Sequence, residues 1–239
     1  MIELTGISSM ATRHVLKDLA GATEAAGIAA VEVTSIGGVT ASDRIAAGEP
    51  FDIAILDLAA LEKLALDGHI QPATMRPLVI SNVGIAVAGE AGDSALSGPA
   101  FADAQELAAV LLDATGIGYS TGPSGKAVVQ TIRNLGIYDS VADRLVQARP
   151  GVPVASLLAS GDVSIGFQQV SEILGQPGIQ LLGLLPSGLE ISSTFSAVVT
   201  TVCADSETAR AVLDFWDSPE ATIIKSNHHF TTNGASCEH

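Results

Sequence analysis

Residues 117–135 read IGYSTGPSGKAVVQTIRNL, and this stretch decides how the rest of the chain is interpreted. The pattern predicts a strand that ends at residues 117–120, then a tight turn, then a helix that continues to Leu135. Gly122 and Gly125 lie in the turn, where a missing side chain lets the backbone come close to a ligand. A strand that leads directly into a helix is the unit from which α/β folds are built.

The start of this helix also predicts a site for an anion. The Ser124 hydroxyl can cap the helix, and the free N–H groups with the positive end of the helix dipole attract negative charge. Lys126 adds a full positive charge at the same place. A plain strand-to-helix turn needs the same glycines for its geometry alone, so the motif by itself leaves both interpretations open.

The composition describes a globular chain with an ample core and an excess of acid. Of 239 residues, 47% are hydrophobic and 15% are charged, which allows one large domain or two small ones. The net charge is −15, from 11 basic and 26 acidic residues. This balance argues against nucleic acid or an anionic membrane as a partner. An anionic ligand must therefore be held by locally placed cations and N–H groups, and no cofactor is predicted.

The two cysteines form neither a disulfide framework nor a metal cluster in the sequence pattern. Cys203 is expected to be a small buried residue in a strand, and Cys237 belongs to a tail, residues 231–239, that is expected to fray. The first residues already resemble a strand rather than a signal peptide, and no apolar run is long enough to span a membrane. The chain as written is predicted to be cytoplasmic, or periplasmic if a leader was removed.

The first third of the chain alternates between strand and helix patterns, which predicts a parallel sheet. Strands are expected at 1–5, 30–34 and 51–56, and a helix is expected at 58–66. The helix after the first strand has Ser8 or Ser9 as its cap and ends near Gly27. The helix after the second strand is expected to begin with a capping box formed by Thr40 and Asp43.

Two longer strand patterns, at 78–88 and 193–202, bracket a second α/β segment. In that segment a loop is expected at 89–99, helices at 103–113, 151–160 and 168–174, and strands at 163–167 and 179–184. Helices at 206–215 and from Ser218 onward close the chain. The pattern predicts two lobes, residues 1–82 with 196–239 and residues 83–195, joined by two crossing strands, with a ligand cleft between them.

The order of these motifs resembles the molybdate-type periplasmic substrate-binding proteins, which have the type II periplasmic-binding-protein fold. The resemblance rests on short segments spread over nearly the whole chain: SSM at 8–10, GG at 37–38, RIAAGEPFDI at 44–53, LDGHI at 66–70, GIYD at 136–139, LASGD at 158–162 and FWDSPEA at 215–221. It implies an α/β protein with two lobes, each a mixed sheet flanked by helices, and a small anionic ligand. A transporter partner is implied only if the chain is exported.

The resemblance also implies where the ligand is contacted, and neighbouring residues complete the set. The positions lie at the starts of helices or at the ends of strands: Ser8, Ser9, Gly38, Val39, Thr40, Ser124, Gly125, Lys126, Val152, Phe167 and Gln168. A serine position of the family is occupied here by Gly38, and its late tyrosine position by Phe167. With fewer hydroxyls and an added lysine, the pattern favours a larger anion such as a dicarboxylate or tricarboxylate over molybdate.

Catalysis is left open by the same resemblance, because an aconitate isomerase is known on this scaffold. Moving a proton within an unsaturated carboxylic acid needs cations and N–H groups to stabilise the developing charge and one group that takes and returns the proton. The candidates for that group are Lys126, Tyr119 and Glu190, and the sequence does not rank them. The sequence therefore predicts an anion-binding protein, with a cytoplasmic isomerase as the alternative.

Overall fold

A computed structural model describes residues 2–90 and 98–232 of the chain. These residues divide into two compact units. Unit 1 contains residues 2–81 and 193–232, and unit 2 contains residues 82–90 and 98–192. The described strands are β1 (Glu3–Ser9), β2 (Ala30–Ile36), β3 (Ile53–Asp57), β4 (Arg76–Ala88), β5 (Ile117–Tyr119), β6 (Leu145–Gln147), β7 (Ile165–Gln169), β8 (Ile179–Leu184) and β9 (Ser192–Val199).

The helices alternate with the strands through most of the chain. They are α1 (Arg13–Ala25), α2 (Gly38–Ala46), α3 (Leu58–Leu66), α4 (Ala104–Asp113), α5 (Pro123–Asn134), α6 (Tyr138–Val141), α7 (Val154–Ser160), α8 (Val170–Ile173), α9 (Ser206–Trp216) and α10 (Pro219–Asn227). The chain passes from one unit to the other inside β4 and returns at the start of β9. Unit 1 therefore combines chain from before the first crossing and after the second, and unit 2 is the segment between them.

The sheet of unit 1 is parallel at one side and antiparallel at the other. Its strands follow the order β2-β1-β3-β9, with β1 parallel to β2 and β3, and β9 antiparallel to β3. Successive residues of β3 pack on opposite faces of the sheet. Ile55 lies in the core under α1, α9 and α10, and Leu56 lies in the core under α2 and α3. Both are fully buried, as expected for a parallel strand covered on both faces.

Unit 2 has its own sheet and core. Strand β5 is parallel to β6 and β7, and β4 is antiparallel to β7 and β8. The main core joins apolar residues of β7 and β5 to those of α4 and α5, and a smaller cluster forms under α7. The two-lobed α/β class expected from the sequence is confirmed, since both units are mixed sheets flanked by helices.

Most predicted elements are present with small shifts at their ends. Helix α3 and strand β8 have the predicted bounds, α4 begins after the Asp103 cap, and Ser218 caps α10 by accepting a hydrogen bond from the Ala221 N–H at 3.2 Å. Strand β1 is longer than expected and ends at Ser9. Most of the loop expected at 89–99 and most of the tail at 231–239, with Cys237, lie outside the described residues.

Three local predictions are wrong. The capping box at Thr40 does not form, because Gly37 is the N-cap of α2 and Thr40 already lies inside the helix. Gln168 belongs to strand β7 and does not begin a helix. Cys203 is half-buried and lies beyond the end of β9, which stops at Val199 because the chain turns there.

Candidate functional site

The first candidate group in unit 1 is the Ser9 hydroxyl at the carboxyl end of β1. A 3-10 turn, Met10–Thr12, follows Ser9 and leads into α1. The predicted cap does not form, because neither Ser8 nor Ser9 makes a side-chain hydrogen bond to the start of α1. Ser9 is 8% exposed, and its Oγ has no hydrogen-bond partner among the described residues. A buried hydroxyl without a protein partner is uncommon, and it is able to donate to a ligand.

The start of α2 lies beside Ser9. A Cβ atom placed on Gly38 would lie 3.7 Å from the Ser9 Cβ. Gly37 caps α2 without a side-chain hydrogen bond, so the first-turn N–H groups of Gly38, Val39 and Thr40 have no acceptor within the helix. Val39 and Thr40 are exposed. One buried hydroxyl and several helix-start N–H groups thus lie together, and both kinds of group can donate to an anion.

Ser8 holds the ends of two strands together. It is fully buried, its Oγ lies 2.8 Å from the Ser35 Oγ, and it donates to the Ser9 carbonyl at 3.2 Å. These contacts satisfy the Ser8 hydroxyl within unit 1. Ser8 therefore positions Ser9, and its predicted contact with a ligand stays a prediction.

Asp57 is a candidate that the sequence analysis missed. It is the last residue of β3, and the parallel register Ser8↔Ile55 places it at the same sheet edge as Ser9. Its carboxylate accepts a hydrogen bond from the Ala59 N–H at 3.0 Å and caps α3. Burial raises the pKa of Asp57, against the opposing effect of the backbone hydrogen bonds. A polar residue at the carboxyl end of a buried parallel strand was the signal that could have found it.

In unit 2 the predicted anion-binding turn connects β5 to α5. Gly122 is the N-cap and makes no side-chain hydrogen bond. The prediction that Ser124 caps α5 is wrong, because its Oγ lies inside the first turn and shares a hydrogen bond with the Ser120 Oγ at 3.2 Å. Gly125 is buried, and a Cβ atom there would lie 1.8 Å from the Ser120 carbonyl oxygen. The lack of a side chain at Gly125 is what allows α5 to begin so close to β5.

Lys126 extends from the first turn of α5 and is exposed. Its backbone N–H donates to the Gly122 carbonyl at 3.3 Å, and it forms no salt bridge with the described residues. The first turn of α5 therefore presents a hydroxyl, N–H groups and a cation to solvent. This is the arrangement expected of an anion-binding helix start.

The last three predicted contacts of unit 2 differ from the expectation. Val152 lies two residues before α7, and its N–H donates to the Arg149 carbonyl at 2.9 Å. Phe167 is 2% exposed and packs in the core of unit 2. Gln168 is 3% exposed, and its Oε1 accepts from the Val154 N–H at 2.8 Å, which fixes the start of α7. Buried side chains with internal partners support the walls of a site more readily than they contact a ligand.

The proposed catalytic groups of unit 2 differ in their surroundings. Tyr119 ends β5 and is half-buried against the core of unit 2. Glu190 is exposed, and its carboxylate accepts a hydrogen bond from the Gly188 N–H at 2.8 Å. That contact is typical of an acid in a turn. The structure adds Asp57 to these candidates and does not rank them.

Within residues 2–90 and 98–232, no cluster of His, Cys, Asp and Glu side chains is suited to hold a metal ion. In the same ranges, no helix is both long enough and apolar enough to cross a membrane.

The chain was compared with known proteins once this geometry was established. A family model described as bacterial extracellular solute-binding protein matches residues 4–231. An aconitate isomerase from Pseudomonas sp. is 27% identical over 179 residues, which cover 75% of this chain and 66% of that protein. The molybdate-binding protein ModA of Rhodobacter capsulatus is 27% identical over 112 residues, which cover 47% of this chain and 44% of that protein. The matched part is thus less than two thirds of the length of each relative.

The fold is shared with solved structures at low sequence identity. The periplasmic molybdate-binding protein of Azotobacter vinelandii superposes with a TM-score of 0.77 at 22% identity, and the match covers 95% of this chain and 98% of that one. This agreement confirms the resemblance to molybdate-type binding proteins in fold.

Proposed function

We propose, on the premise that the chain belongs to the family of bacterial extracellular solute-binding proteins, that its ligand is a small dicarboxylate or tricarboxylate anion. The single observation that carries the proposal is the Ser9 hydroxyl, which is buried, lacks a partner among the described residues and lies beside the start of α2. A ligand oxygen that accepts from Ser9 and from the N–H groups of α2 would satisfy all of these donors at once.

Few side-chain hydroxyl groups lie at the expected contact positions, and this favours carboxylates over a compact oxyanion as the ligand. Gly38 contributes no side chain to the start of α2, and a Cβ atom there would meet only the Ser9 Cβ. Phe167 is buried and carries no hydroxyl. Lys126 instead offers a mobile ammonium at the start of α5. A flexible cation suits carboxylates that are spread over a larger ligand.

Titration calorimetry tests the proposal with citrate, the aconitates, molybdate, tungstate and sulfate. We expect at least one dicarboxylate or tricarboxylate to bind more tightly than the three oxyanions. The Ser9→Ala variant should lose at least about tenfold in affinity, since a lost hydrogen bond to a charged group costs roughly 1.5–3 kcal/mol. Wild-type protein that is folded but binds none of the ligands, or prefers an oxyanion, contradicts the proposal.

A pair of variants in unit 2 separates the two kinds of ligand. For a carboxylate ligand, Lys126→Met should weaken binding more than Ser124→Ala, because the ammonium and the carboxylate are both charged, whereas the Ser124 hydroxyl is a neutral donor that already shares a hydrogen bond with Ser120. The difference should shrink as salt is raised.

For a compact oxyanion held by N–H groups, the order of the two variants reverses. Equal affinities of wild type and Lys126→Met for all carboxylates would remove Lys126 from the site. Lys126→Met should not unfold the protein, because an exposed lysine at a helix start opposes the helix dipole and contributes no stability. A change in affinity can therefore be attributed to a lost contact with the ligand.

A second candidate function is the isomerisation of an unsaturated carboxylic acid, and the match to an aconitate isomerase favours it. Asp57 supports this candidate, because burial raises the pKa of its carboxyl group at the sheet edge that also carries Ser9. A carboxylate with a raised pKa is a better proton acceptor near neutral pH than an ordinary one. Such a group could take a proton from a carbon of the substrate and return it to another.

Incubation with cis- and trans-aconitate in deuterated water distinguishes the two functions. An isomerase interconverts the isomers and incorporates deuterium at carbon, whereas a binding protein does neither. If activity is present, Asp57→Asn should lower kcat by at least about a hundredfold if Asp57 is the base. Unchanged kcat in that variant leaves Lys126, Tyr119 and Glu190 to be tested in the same assay. For the binding function, a membrane transporter would be the partner if the chain is exported.

A further inference from the structure

Unit 1 has a groove on its surface, and Ser35, which contacts Ser8, lies at one end of it. The groove runs between α1 and the edge strand β2 and has a volume of about 610 Å³. Leu16, Val31 and Val33 form its apolar floor. The small residues Ala20 and Gly21 leave the groove open along the middle of α1. Gly21 faces open space, since a Cβ atom there would meet nothing within 4 Å. Helix α1 therefore has a side that no described residue covers.

The edge of β2 offers an unpaired row of backbone groups. Among the described residues, β2 pairs with β1 alone and ends the sheet of unit 1. The Ala30 N–H donates to the Ile2 carbonyl at 2.9 Å, which directs the polar groups of Ala30 toward β1. In a parallel pair these directions alternate along the strand, so Val31, Val33 and Ser35 direct their N–H and C=O groups outward. An edge of this kind is a template for another strand.

The charges along the groove are polarised. Arg13 and Lys17 lie at the end of the groove where α1 begins, and Glu24 lies at the end where α1 finishes. Glu32 lies between Val31 and Val33 on β2, so its exposed carboxylate is on the opposite face of the sheet. Two of only 11 basic residues in the chain are thus placed at one end of one groove. A surface that is cationic at one end and acidic at the other is complementary to an inverted copy of itself.

We propose that this face binds a second copy of the same chain through antiparallel pairing of β2 with β2 about a two-fold axis at Val33. Under this symmetry Val33 pairs with Val33 of the second copy, and Val31 pairs with Ser35 of the second copy. Val31, Val33 and Ser35 are the residues whose N–H and C=O groups face outward. This register therefore matches the hydrogen-bonding pattern of an antiparallel pair. A two-fold axis also makes each contact occur twice.

The helices fit the same arrangement. Helix α1 packs over β2 and leaves the side chains of Val31 and Val33 half-buried at the edge of the sheet. The two-fold axis would place the α1 helices of the two copies on the same face of the joined sheet. Because the helices would run antiparallel, Arg13 and Lys17 of one copy approach Glu24 of the other. The small residues Ala20 and Gly21 lie near the middle, where the two helices come closest.

Sedimentation velocity over a range of concentrations, at physiological salt, tests the proposal with two reciprocal variants. One is Arg13→Glu with Lys17→Glu, and the other is Glu24→Lys. We expect wild type to dimerise reversibly and each variant alone to dimerise at least tenfold more weakly, because like charges then meet. An equimolar mixture of the two variants should form a heterodimer, because opposite charges meet again at both ends.

Two controls make the outcome specific. Lys63→Glu on the exposed side of α3 carries the same charge change as Lys17→Glu and should leave dimerisation unchanged. Val33→Pro removes an outward N–H, which an edge strand tolerates, and should abolish dimerisation while the far-ultraviolet spectrum is kept. A wild type that stays monomeric at all concentrations overturns the proposal. So does a variant mixture that does not associate, or a monomer that instead binds an extended peptide along β2.

Discussion

Gly125 decides at the scale of one residue how closely α5 approaches β5. A methyl group at this position would lie 1.8 Å from the Ser120 carbonyl oxygen, which is backbone and cannot move aside alone. The helix start would have to shift, and the Ser120–Ser124 hydroxyl contact with it. The shape of the candidate site in unit 2 therefore depends on a missing side chain rather than on a functional group.

We expect Gly125→Ala to destabilise the protein by about 3 kcal/mol, the upper end of the usual cost of overpacking. Gly122→Ala is the matched control, because a Cβ atom there meets nothing within 4 Å, and replacing glycine by alanine at an N-cap should cost less than about 1 kcal/mol. Urea unfolding measures both free energies. Similar losses for the two variants would show that the close approach at Gly125 is not what matters.

Lys225 gives a second prediction at this scale. It lies on α10, is 2% exposed and forms no salt bridge with the described residues. Burial lowers the pKa of its ammonium, and the Asp217 carboxylate opposes this only in part. Since the pKa is lower in the folded than in the unfolded chain, the charge destabilises the fold below the folded-state pKa. The penalty disappears as the pH rises through that value toward 10.5.

Lys225→Met should therefore stabilise the protein by about 1 kcal/mol at pH 7, because it keeps the buried stem and removes the charge. The expected rise in Tm is about 2–4 °C. The gain should shrink as the pH is raised toward 10.5, which thermal unfolding at several pH values would show. Lys63→Met, at an exposed site, should change Tm little at any pH. A lower Tm for Lys225→Met at pH 7 would contradict the argument.

At the scale of the element, helices with similar sequence signals begin in different ways. Asp103 caps α4 by accepting hydrogen bonds from the N–H groups of Gln105 and Glu106, and the Glu106 carboxylate in turn accepts from the Ala102 N–H. Helices α2 and α5 begin at glycine N-caps without any side-chain hydrogen bond. These two uncapped starts are among the positions assigned to the candidate site, where free N–H groups are available to a ligand.

Asp103→Ala should cost about 1 kcal/mol of stability, the usual loss for an N-cap, whereas Ser124→Ala should cost less than about 0.5 kcal/mol because Ser124 caps nothing. Chemical denaturation without ligand gives both values. The ranking should be the opposite for ligand affinity, where only Ser124→Ala is expected to have an effect. A large loss of stability for Ser124→Ala would indicate that its contact with Ser120 is structural.

The whole molecule carries a net charge of −15, and its charges act on both stability and ligand capture. Few of the basic residues neutralise acids: among the described residues, Arg44 pairs with Glu49, Arg76 with Asp214 and Asp217, and Arg144 with Asp143. The remaining excess of acid repels itself in the compact state. Local cations such as Lys126 must then overcome a generally repulsive field for an anion.

Raising sodium chloride from about 10 mM to about 300 mM should increase Tm by a few degrees, because screening weakens repulsion among exposed charges over distances beyond a few ångströms. Differential scanning calorimetry measures the shift. Choline chloride at equal ionic strength is the control, since it should have the same effect if screening is the cause. A Tm that falls with both salts would rule out self-repulsion as a significant term.

The local patterns predicted most of the fold because they are set by neighbours in the chain. Helix α3 and strand β8 have the predicted bounds, since a periodic apolar pattern and flanking turn residues fix each of them. The predictions that failed depended on which of two neighbouring residues begins a helix or ends a strand. Ser124 has the right residue type for a cap, but Gly122 ends the turn earlier, and Gln168 lies in a strand that continues two residues further than expected.

The sequence by itself determined the alternation of strands and helices, the excess of acid and the helix starts that can receive an anion, because each is encoded in residue type and short-range spacing. Only the tertiary structure decided which hydroxyls are available. It satisfied Ser8 through Ser35, left Ser9 buried without a partner and placed Asp57 at the same sheet edge. Those outcomes depend on strand register, which brings together residues that are far apart in the chain and which no local pattern specifies.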